Sequence, residues 1–563
     1  MLNYAIGTSI LSTGQSALAV VGQNIANAAT VGYHRQDVDL VATTDGVNGT
    51  GVDVASITRY TAPPVRTAIL QGNSSQGASA ARLAVQQQIE TTLGTSPGTI
   101  GDGVESFFNA AEQLTTDPSS TALRRTTLAA ASAVAGQLNA AATGIDQLRQ
   151  NVGTQIGQTV SQVNSYASQI AALNTKIAGV QASGGQANDM MDQRDNLVNQ
   201  LSQQMNVTTV PQKDGTVNVI ADGAAVVVGN YANTFSAAQD STGNMVISQA
   251  GSTQPVTVSS GTLGGQLQAF NQDIPATRSR LDGLAQQLIT KVNAVQATGL
   301  GAAGPVTSST AGVAVAAPTA PLATQGLPST PTAGTLTISV TDSAGNRTNA
   351  AIAFDPATQS LNDLATAITG GTGGAVQASV DPQSGVLSLQ AQGGASFDFA
   401  GRAPSAGGAA VANTDTGGLL PALGVNGLFT GTDATSIAVN PTLTADPNQL
   451  AASKTGEPGD TTNLQQLAAI RDLPVTGGRT LSGEYDDLAA TVGQNVQQFG
   501  DQQSAQTSTL ANLTNLEQST TGVDTNQELV HLLDYQNMIQ AGSKYLSVVN
   551  SAMDSIMQMV QSA

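Results

Sequence analysis

The sequence predicts an α+β multidomain protein: terminal helices forming a coiled coil, a discontinuous elongated helical domain, and central β-rich domains. At both ends, apolar residues alternate at spacings of three and four, the pattern of a coiled-coil seam. A long apolar series without proline runs from Ile145 to Val180. Between Val207 and Ser260 the spacing changes to the alternation typical of strands.

With 563 residues, the chain is long enough for roughly three to four domains. The changes of pattern predict how it is divided. We expect a coiled-coil helix at 1–32 paired with another at 523–563, a helical rod built from 33–206 and 461–522, a β-rich domain with a closing helix at 207–300, a linker at 301–334, and a small inserted α+β or β domain at 335–460.

The terminal helices are expected to form a self-assembly interface. The N-terminal seam includes Leu11, Leu18, Val21 and Ile25. The C-terminal seam has nine consecutive positions, occupied by Leu532, Tyr535, Ile539, Gly542, Leu546, Val549, Met553, Ile556 and Val560. Small residues, Gly7, Gly14, Ala28 and Gly542, allow close helix approach. Such a stripe is also typical of a core-facing helix. Because both stripes lie at the chain ends and are poor in charge, we expect them to pack on each other and on further copies.

Inside these ends the spacing predicts a second set of helices. One covers Val104–Leu114, and Asp117–Ser120 indicates a turn that starts an alanine-rich helix. The series Ile145–Val180 predicts one rod of about 50 Å, at 1.5 Å per residue. A partner series at Leu481–Leu516 completes a helical domain built from distant segments.

The centre of the chain predicts small β-rich modules. Alternating residues at 207–260, broken by Asp214-Gly215 and Asp222-Gly223, indicate hairpins, and a helix follows from about 273 to 297.

A low-complexity segment and a second small module follow. The segment 302–334 is rich in Ala, Pro, Thr and Ser, which favours a linker or irregular loop. Residues 335–340 indicate a strand, 360–369 a helix and 376–389 a hairpin, whereas 394–446 carries no clear pattern.

The charge and composition exclude several classes of function. Lys+Arg is 19 and Asp+Glu is 38, which gives a net charge of −19, and the five lysines are far apart. Nucleic-acid binding is therefore not expected. Without Cys and with two His, the chain does not suit a disulfide framework, a cysteine zinc site or a multi-histidine metal site. The sequence contains no uninterrupted run of 18 apolar residues, so we expect no membrane-spanning segment. The N-terminus lacks the basic n-region of a cleavable secretory signal, so we expect none.

Two patterns match enzyme motifs but lack the required context. Gly94–Gly98 matches a nucleophile elbow, yet Pro97 removes the backbone N–H that the oxyanion needs. Gly299–Gly304 matches GxGxxG, but it follows a predicted helix instead of preceding one.

The ionisable residues form no catalytic or metal-ligating set. His34 and His531 are interpreted as surface or interface residues. Asp189, Asp192 and Asp195 lie near Arg194 and indicate a solvated helix face or a local salt bridge. We therefore expect no enzyme activity, no cofactor and no bound metal.

The N-terminal segment resembles a known family signature. Asn24–Tyr33, NIANAATVGY, is similar to the NIANxxTxGY signature of bacterial flagellar rod, hook and hook-associated proteins. His34-Arg35-Gln36 is similar to the SRQ that follows it in the hook-associated branch. The matching positions are Asn24, Asn27, Thr30, Gly32, Tyr33, Arg35 and Gln36.

Three further segments resemble the hook-associated protein 1 family. They are Asp117–Arg124, Asn188–Asp195 and the stretch from Gly522 to Ala541. Together the resemblance covers about 1–300 and 460–563, and 335–390 looks like the insert of flagellins and hook-associated proteins. The sequence departs from the family pattern at Ala29, Val31 and Gln527.

The resemblance implies a secreted, extracellular structural subunit at the hook–filament junction of the flagellum. Its implied partners are further copies of itself in a ring, the hook protein, a second junction protein beside the filament, and the flagellar export chaperone with the type III export apparatus. A hook or flagellin-type axial subunit is the alternative within this family. A secreted adhesin would share the low charge and the β modules, but it would not need helical seams at both termini.

Overall fold

The structure is a computed structural model and describes residues 2–45, 48–94, 98–252, 254–475 and 477–561. The chain divides into two units, each built from segments distant in sequence. Unit one contains 1–85, 151–271 and 497–563; unit two contains 86–150 and 272–496. Helices and several small sheets together confirm the predicted α+β multidomain class.

The helices in chain order are α1 (Leu2–Asn27), α2 (Pro63–Leu93), α3 (Ile100–Leu114), α4 (Thr121–Ala182), α5 (Asn188–Gln204), α6 (Gly261–Gln268), α7 (Ile274–Ala297), α8 (Leu361–Gly371), α9 (Leu419–Leu423), α10 (Pro441–Ala445), α11 (Thr462–Ala469), α12 (Leu481–Thr521) and α13 (Thr525–Gln561). A π-helical turn, Ala269–Asp273, joins α6 to α7.

The strands in chain order are β1 (Gln36–Asp45), β2 (Asn48–Arg59), β3 (Val207–Pro211), β4 (Val217–Ala221), β5 (Ala224–Val228), β6 (Tyr231–Ala232), β7 (Phe235–Gln239), β8 (Met245–Gln249), β9 (Pro255–Val256), β10 (Ser308–Thr310), β11 (Gly334–Thr341), β12 (Arg347–Phe354), β13 (Val376–Val380), β14 (Leu387–Ala391), β15 (Ser396–Asp398), β16 (Phe429–Thr430) and β17 (Ala438–Val439). They pair antiparallel in the orders β1-β2, β3-β4-β5-β6, β7-β8-β9, β10-β14-β13, β12-β11-β15 and β16-β17.

In unit one, the terminal helices α1 and α13 pack against each other in antiparallel orientation. A Cβ added at Gly7 would lie 2.5 Å from Leu546, and one at Gly14 would lie 2.7 Å from Ile539. The β1–β2 hairpin covers another side of α1, where Ala17, Val20 and Val38 form a small buried core. We call α1 and α13 the terminal helix pair.

The other sheets of unit one are held to α4 by two asparagines. Asn174 donates its amide to the carbonyls of Val217 (2.9 Å) and Gly229 (2.6 Å). Asn164 donates to the carbonyl of Phe235 and accepts from its N–H, both at 2.8 Å. Side-chain amides thus replace missing strand neighbours along the helix surface.

Unit two contains a helical core and an inserted α+β module. Phe107 packs its ring 5.0 Å from that of Phe108 and 5.9 Å from that of Phe429. Tyr485 on α12 donates its hydroxyl to the carbonyl of Leu93 at 2.7 Å. In the insert, α8 and the strands β10–β15 enclose one apolar core.

The predictions for the connecting segments were incomplete. Segment 302–334 is largely irregular, one of the two predicted alternatives, but it is packed: Val315 and Leu322 are each 1% exposed within the core of the insert, and β10 pairs with β14. The hairpin β1–β2 and helix α2 were not predicted inside 33–206. Segment 394–446, left without assignment, contains short elements from β15 to α10.

Helix α1 corrects the expectation that no segment is apolar enough to span a membrane. Over Tyr4–Asn27 this helix has a mean hydropathy of 1.2, which by length and composition is enough to cross a bilayer. Gly7 and Gly14 of this helix instead face α13, and 33% of the apolar window is buried. The apolar character of α1 is therefore used, at least in part, for packing within the chain.

Arg124, the last residue of the segment Asp117–Arg124, is a buried arginine that connects two distant parts of the chain. The side chain is 1% exposed and donates to the carbonyls of Pro118 (2.7 and 3.0 Å) and Leu450 (2.5 Å). Burial lowers the pKa of Arg124, and Asp446 partly offsets this. The guanidinium therefore ties the start of α4 to the loop that follows α10.

We predict that Arg124→Met lowers the free energy of unfolding by roughly 3 kcal/mol, because buried carbonyls lose their charged donor. Urea unfolding measures the change. The neighbouring Arg125 is exposed, so Arg125→Met is the matched control and should change stability by less than about 0.5 kcal/mol. Equal effects of the two substitutions would contradict the assigned role.

Candidate assembly site at the base of the terminal helices

Three segments that the sequence singled out separately lie together in unit one. They are Asn24–Gln36, Asn188–Asp195 on α5, and the start of α13 with the residues before it, 521–528. We call this buried polar cluster the motif junction. It lies where α1 ends, where the hairpin begins and where α13 begins.

Asn24 is the centre of the motif junction and is 1% exposed. Its amide nitrogen donates to the carbonyl of Gln36 (2.8 Å) and to Glu528 (3.1 Å). Its amide oxygen accepts from the N–H of Gln36 (3.0 Å) and from the hydroxyl of Tyr33 (2.9 Å). The side chain therefore uses both donors and both lone pairs. An aspartate here would lose the two donors and place a second carboxylate beside Glu528.

A buried group of charges joins the hairpin to α5. His34 Nδ1 lies 2.7 Å from Asp192, and the backbone N–H of His34 donates to the same carboxylate at 3.2 Å. Arg59 donates to Asp192 at 2.5 Å and forms an ion pair with Asp195 at 2.9 Å. Arg66 adds a further ion pair to Asp195 at 3.3 Å. The carboxylates of Asp192 and Asp195 therefore each have an arginine beside them.

This geometry corrects two interpretations of the sequence. His34 is 6% exposed, so it is a buried residue and not a surface one. Asp192 forms its ion pairs with the hairpin, whereas Arg194 donates to Asn174 and to the carbonyl of Gly215. Burial lowers the pKa of Arg194. His531 is exposed, as interpreted, and its ring stacks on Tyr535.

Side-chain amides and one guanidinium complete the motif junction. Asn188 donates to the Gln36 side chain (3.0 Å) and to the carbonyl of Ile57 (3.1 Å). Arg35 donates to Gln527 at 3.1 Å, and its guanidinium lies 4.1 Å from the centre of the Tyr60 ring. Gln527, where the family pattern has an acid, is thus still an acceptor for Arg35.

The rest of the signature segment shapes the turn after α1. Thr30 donates its hydroxyl to Asn27 at 3.2 Å. Gly32 has φ +78°, and a Cβ there would collide with the amide of Asn196. Burial, with Asp189, Asp192 and Glu528 nearby, raises the pKa of Tyr33 to about 12. Its hydroxyl therefore stays protonated and available to Asn24.

The structure places only part of the predicted seam inside the chain. Leu11, Leu18 and Ile25 are half-buried and Val21 is buried. On α13, Gly542 is buried; half-buried are Leu532, Tyr535, Ile539, Leu546 and Val549. The last three seam residues are exposed, Met553 by 48%, Ile556 by 52% and Val560 by 72%.

The antiparallel register explains this difference. Gly7 lies opposite Leu546 and Gly14 opposite Ile539, so each step back along α1 is one step forward along α13. Because α1 begins at Leu2, it runs out of residues near position 551 of α13. We call the remaining residues, 553–561, the overhang.

Sequence reasoning missed a second apolar stripe on α13. Ala541, Tyr545, Val548 and Ala552 are all exposed and follow spacings of four, three and four. Val548 is 69% exposed. We call these four residues the outer stripe. Its spacing is visible in the sequence, but it is shorter than the nine-position seam beside it.

Among the residues that the structure describes, no group of three or more His, Cys, Asp or Glu is placed to hold a metal ion. Thr95, Ser96 and Pro97 of the elbow-like motif lie outside the described residues. Gly299–Gly304 follows the end of α7, as predicted.

Comparison with known proteins identifies similar chains. A family model described as the helical domain of flagellar hook-associated protein FlgK matches residues 86–310. Flagellar hook-associated protein 1 of Escherichia coli strain K12 is 26% identical over 581 residues, which covers 99% of each chain. The protein of the same name from Salmonella typhimurium strain LT2 is 26% identical over 578 residues, again 99% of each chain.

Two further matches are partial or structural. Flagellar hook-associated protein 1 of Bacillus subtilis strain 168 is 30% identical over 218 residues, which is 36% of this chain and 43% of that protein. The solved structure of the flagellar hook junction protein FlgK from Burkholderia pseudomallei aligns with a TM-score of 0.49 and 19% identity, over 81% of this chain and 100% of that one.

We predict that Asp192→Asn lowers the free energy of local opening of the motif junction by roughly 3 kcal/mol, because His34 and Arg59 lose the buried carboxylate that they contact. Hydrogen exchange at the amides of 34–36 and 57–60 should speed up. Asp189 lies on the same helix, is exposed and accepts a hydrogen bond from the side chain of Gln36 at 3.3 Å, so Asp189→Asn is the control. Unchanged hydrogen exchange at these amides in Asp192→Asn would contradict a stabilising role for the Asp192 carboxylate.

Proposed function

Because the chain is similar over almost its full length to flagellar hook-associated protein 1 of two bacteria, we propose that it is a structural subunit of the bacterial flagellum at the hook–filament junction. It is a secreted, extracellular component and not an enzyme. It acts by assembling with the hook and other flagellar proteins, without making or breaking covalent bonds. The observation that supports this mechanism most directly is the unpaired apolar surface of α13.

We propose that the overhang and the outer stripe are covered by neighbouring subunits. Ile556, Met557 and Val560 are 52%, 58% and 72% exposed in the isolated chain. Burying a large apolar side chain contributes on the order of 1.5–3 kcal/mol, so even partial burial of several such residues favours association. The predicted seam residues of α1 and α13 thus serve two contacts: within the chain along α1, and between chains along the overhang.

The motif junction supports this assembly by fixing where the terminal helix pair begins. Asn24 links the end of α1 to Glu528 on α13, and Asp192 links the adjoining hairpin to α5. A subunit whose helix pair pivoted freely would lose orientational entropy on entering a ring. A fixed base reduces that cost.

The finer partners are proposals of the same kind. We expect a ring of identical subunits with the hook protein on one side and a second junction protein on the filament side. The export chaperone and the type III export apparatus would deliver the chain. We also propose the domain division predicted from the sequence, which begins with the coiled-coil helix 1–32 and ends with the coiled-coil helix 523–563.

We predict that Val548→Asp blocks assembly without unfolding the subunit, because it places a charge on the outer stripe. Purified Val548→Asp should keep the circular dichroism of the wild type. Cells that carry it in place of the wild type should show hooks without filaments by electron microscopy and should shed flagellin.

Ser547→Asp is the matched control, since it adds the same charge at an exposed position that helical geometry turns away from both stripes. It should assemble normally. Normal filaments on Val548→Asp cells would contradict burial of the outer stripe.

We also predict that Gly542→Leu separates the terminal helix pair. A Cβ at Gly542 would lie 2.7 Å from the side chain of Ile10, so a leucine cannot fit between the helices. Hydrogen exchange of α1 should rise while that of α3 stays unchanged. Wild-type protection of α1 in this variant would exclude close packing at Gly542.

A further inference from the structure

A second polar feature lies in unit two. A cleft of about 470 Å³ opens beside the start of β12, the loop after β15 and the loop before α11. Its charged lining comprises Arg347, Arg402, Lys454 and Glu457, and Ala400 and Val411 are among its apolar residues. This volume is within the range of small-molecule sites.

The cleft gathers positive charge in a chain that has little of it. Lys+Arg totals 19 in 563 residues, and three of these residues line this one cleft. Arg402 is neutralised by Asp398, with N–O distances of 2.6 and 3.1 Å. Glu457 is the acidic residue of the lining. Arg347 and Lys454 therefore determine the charge that a ligand would meet.

Neither Arg347 nor Lys454 pairs with a carboxylate among the described residues. Lys454 Nζ donates to the carbonyl (2.8 Å) and the hydroxyl (2.7 Å) of Thr298, which are neutral acceptors. One terminal guanidinium nitrogen of Arg347 donates a hydrogen bond to the carbonyl of Ala403 at 2.9 Å. The Nε of Arg347 is buried without a hydrogen-bond partner. A buried unpaired donor is costly and favours an acceptor that brings negative charge.

The charge of Lys454 is itself disfavoured by burial. Burial lowers the pKa of Lys454 from 10.5 to about 8. An anion beside it would favour the protonated form and raise that pKa again. Anion binding near pH 8 should therefore be coupled to proton uptake.

We propose that this cleft binds a small organic anion, with its carboxylate held by Arg347 and Lys454 and its apolar body resting on Ala400 and Val411. The proposal does not depend on the position of the chain in the flagellum. It assigns a ligand of one negative charge, since the two cations face a single acidic residue in the lining.

The probe for this site is 2-naphthoate, with the uncharged 2-naphthamide as its counterpart. Saturation-transfer NMR on the full chain should detect 2-naphthoate and not the amide. Arg347→Met and Lys454→Met should each weaken 2-naphthoate binding by about ten-fold or more, as expected for loss of a charged hydrogen bond. Lys213 lies exposed in the β3–β4 turn, so Lys213→Met should bind like the wild type.

Because Lys454 also contacts the end of α7, its substitution could disturb the fold, and Arg347→Met carries the test if it does. Calorimetry at pH 8 in two buffers of different ionisation enthalpy should show proton uptake on binding, absent in Lys454→Met. The proposal is overturned if 2-naphthoate fails to bind the wild type at millimolar concentration. It is also overturned if the amide binds equally, or if Arg347→Met binds like the wild type.

Discussion

The antiparallel contact between α1 and α13 is the interaction on which the assembly surface depends. Glycines on both helices let them approach closely, as Gly7 does against Leu546 and Gly542 against Ile10. The two helices differ in length, with 26 residues in α1 and 37 in α13. One close contact therefore covers most of the seam within the chain and leaves the overhang exposed.

The motif junction gives this contact a fixed starting point. Asn24 saturates its hydrogen-bonding capacity between the hairpin and α13, and two arginines and a histidine surround Asp192 and Asp195. This network favours one arrangement of the three segments, because separating them would leave buried polar groups without partners. For an assembling subunit a defined arrangement is useful, because a neighbour must meet the helices in one orientation.

The sequence was informative where a pattern repeats and uninformative where a contact is single. The spacing of three and four identified α13 over four heptads, and Gly542 marked a close approach that the structure places against Ile10. The hairpin was missed although Val38 and Leu40 alternate with acidic residues in β1. The burial of His34 was not predictable from its neighbours, because its partner Asp192 lies 158 residues away. Likewise, no periodicity could reveal that the antiparallel register places no described residue of α1 opposite the overhang.

The central claim is that apolar residues of α13 exposed in the free subunit become buried in the flagellum. Since the chain has no cysteine, a single Val548→Cys substitution provides a unique reporter of solvent access. Maleimide labelling should be rapid on the free Val548→Cys chain and strongly suppressed in purified hook–filament junctions, while a Ser547→Cys reporter stays reactive in both. Equal labelling of Val548→Cys in the free and assembled states would show that this surface has no neighbour and would contradict the claim.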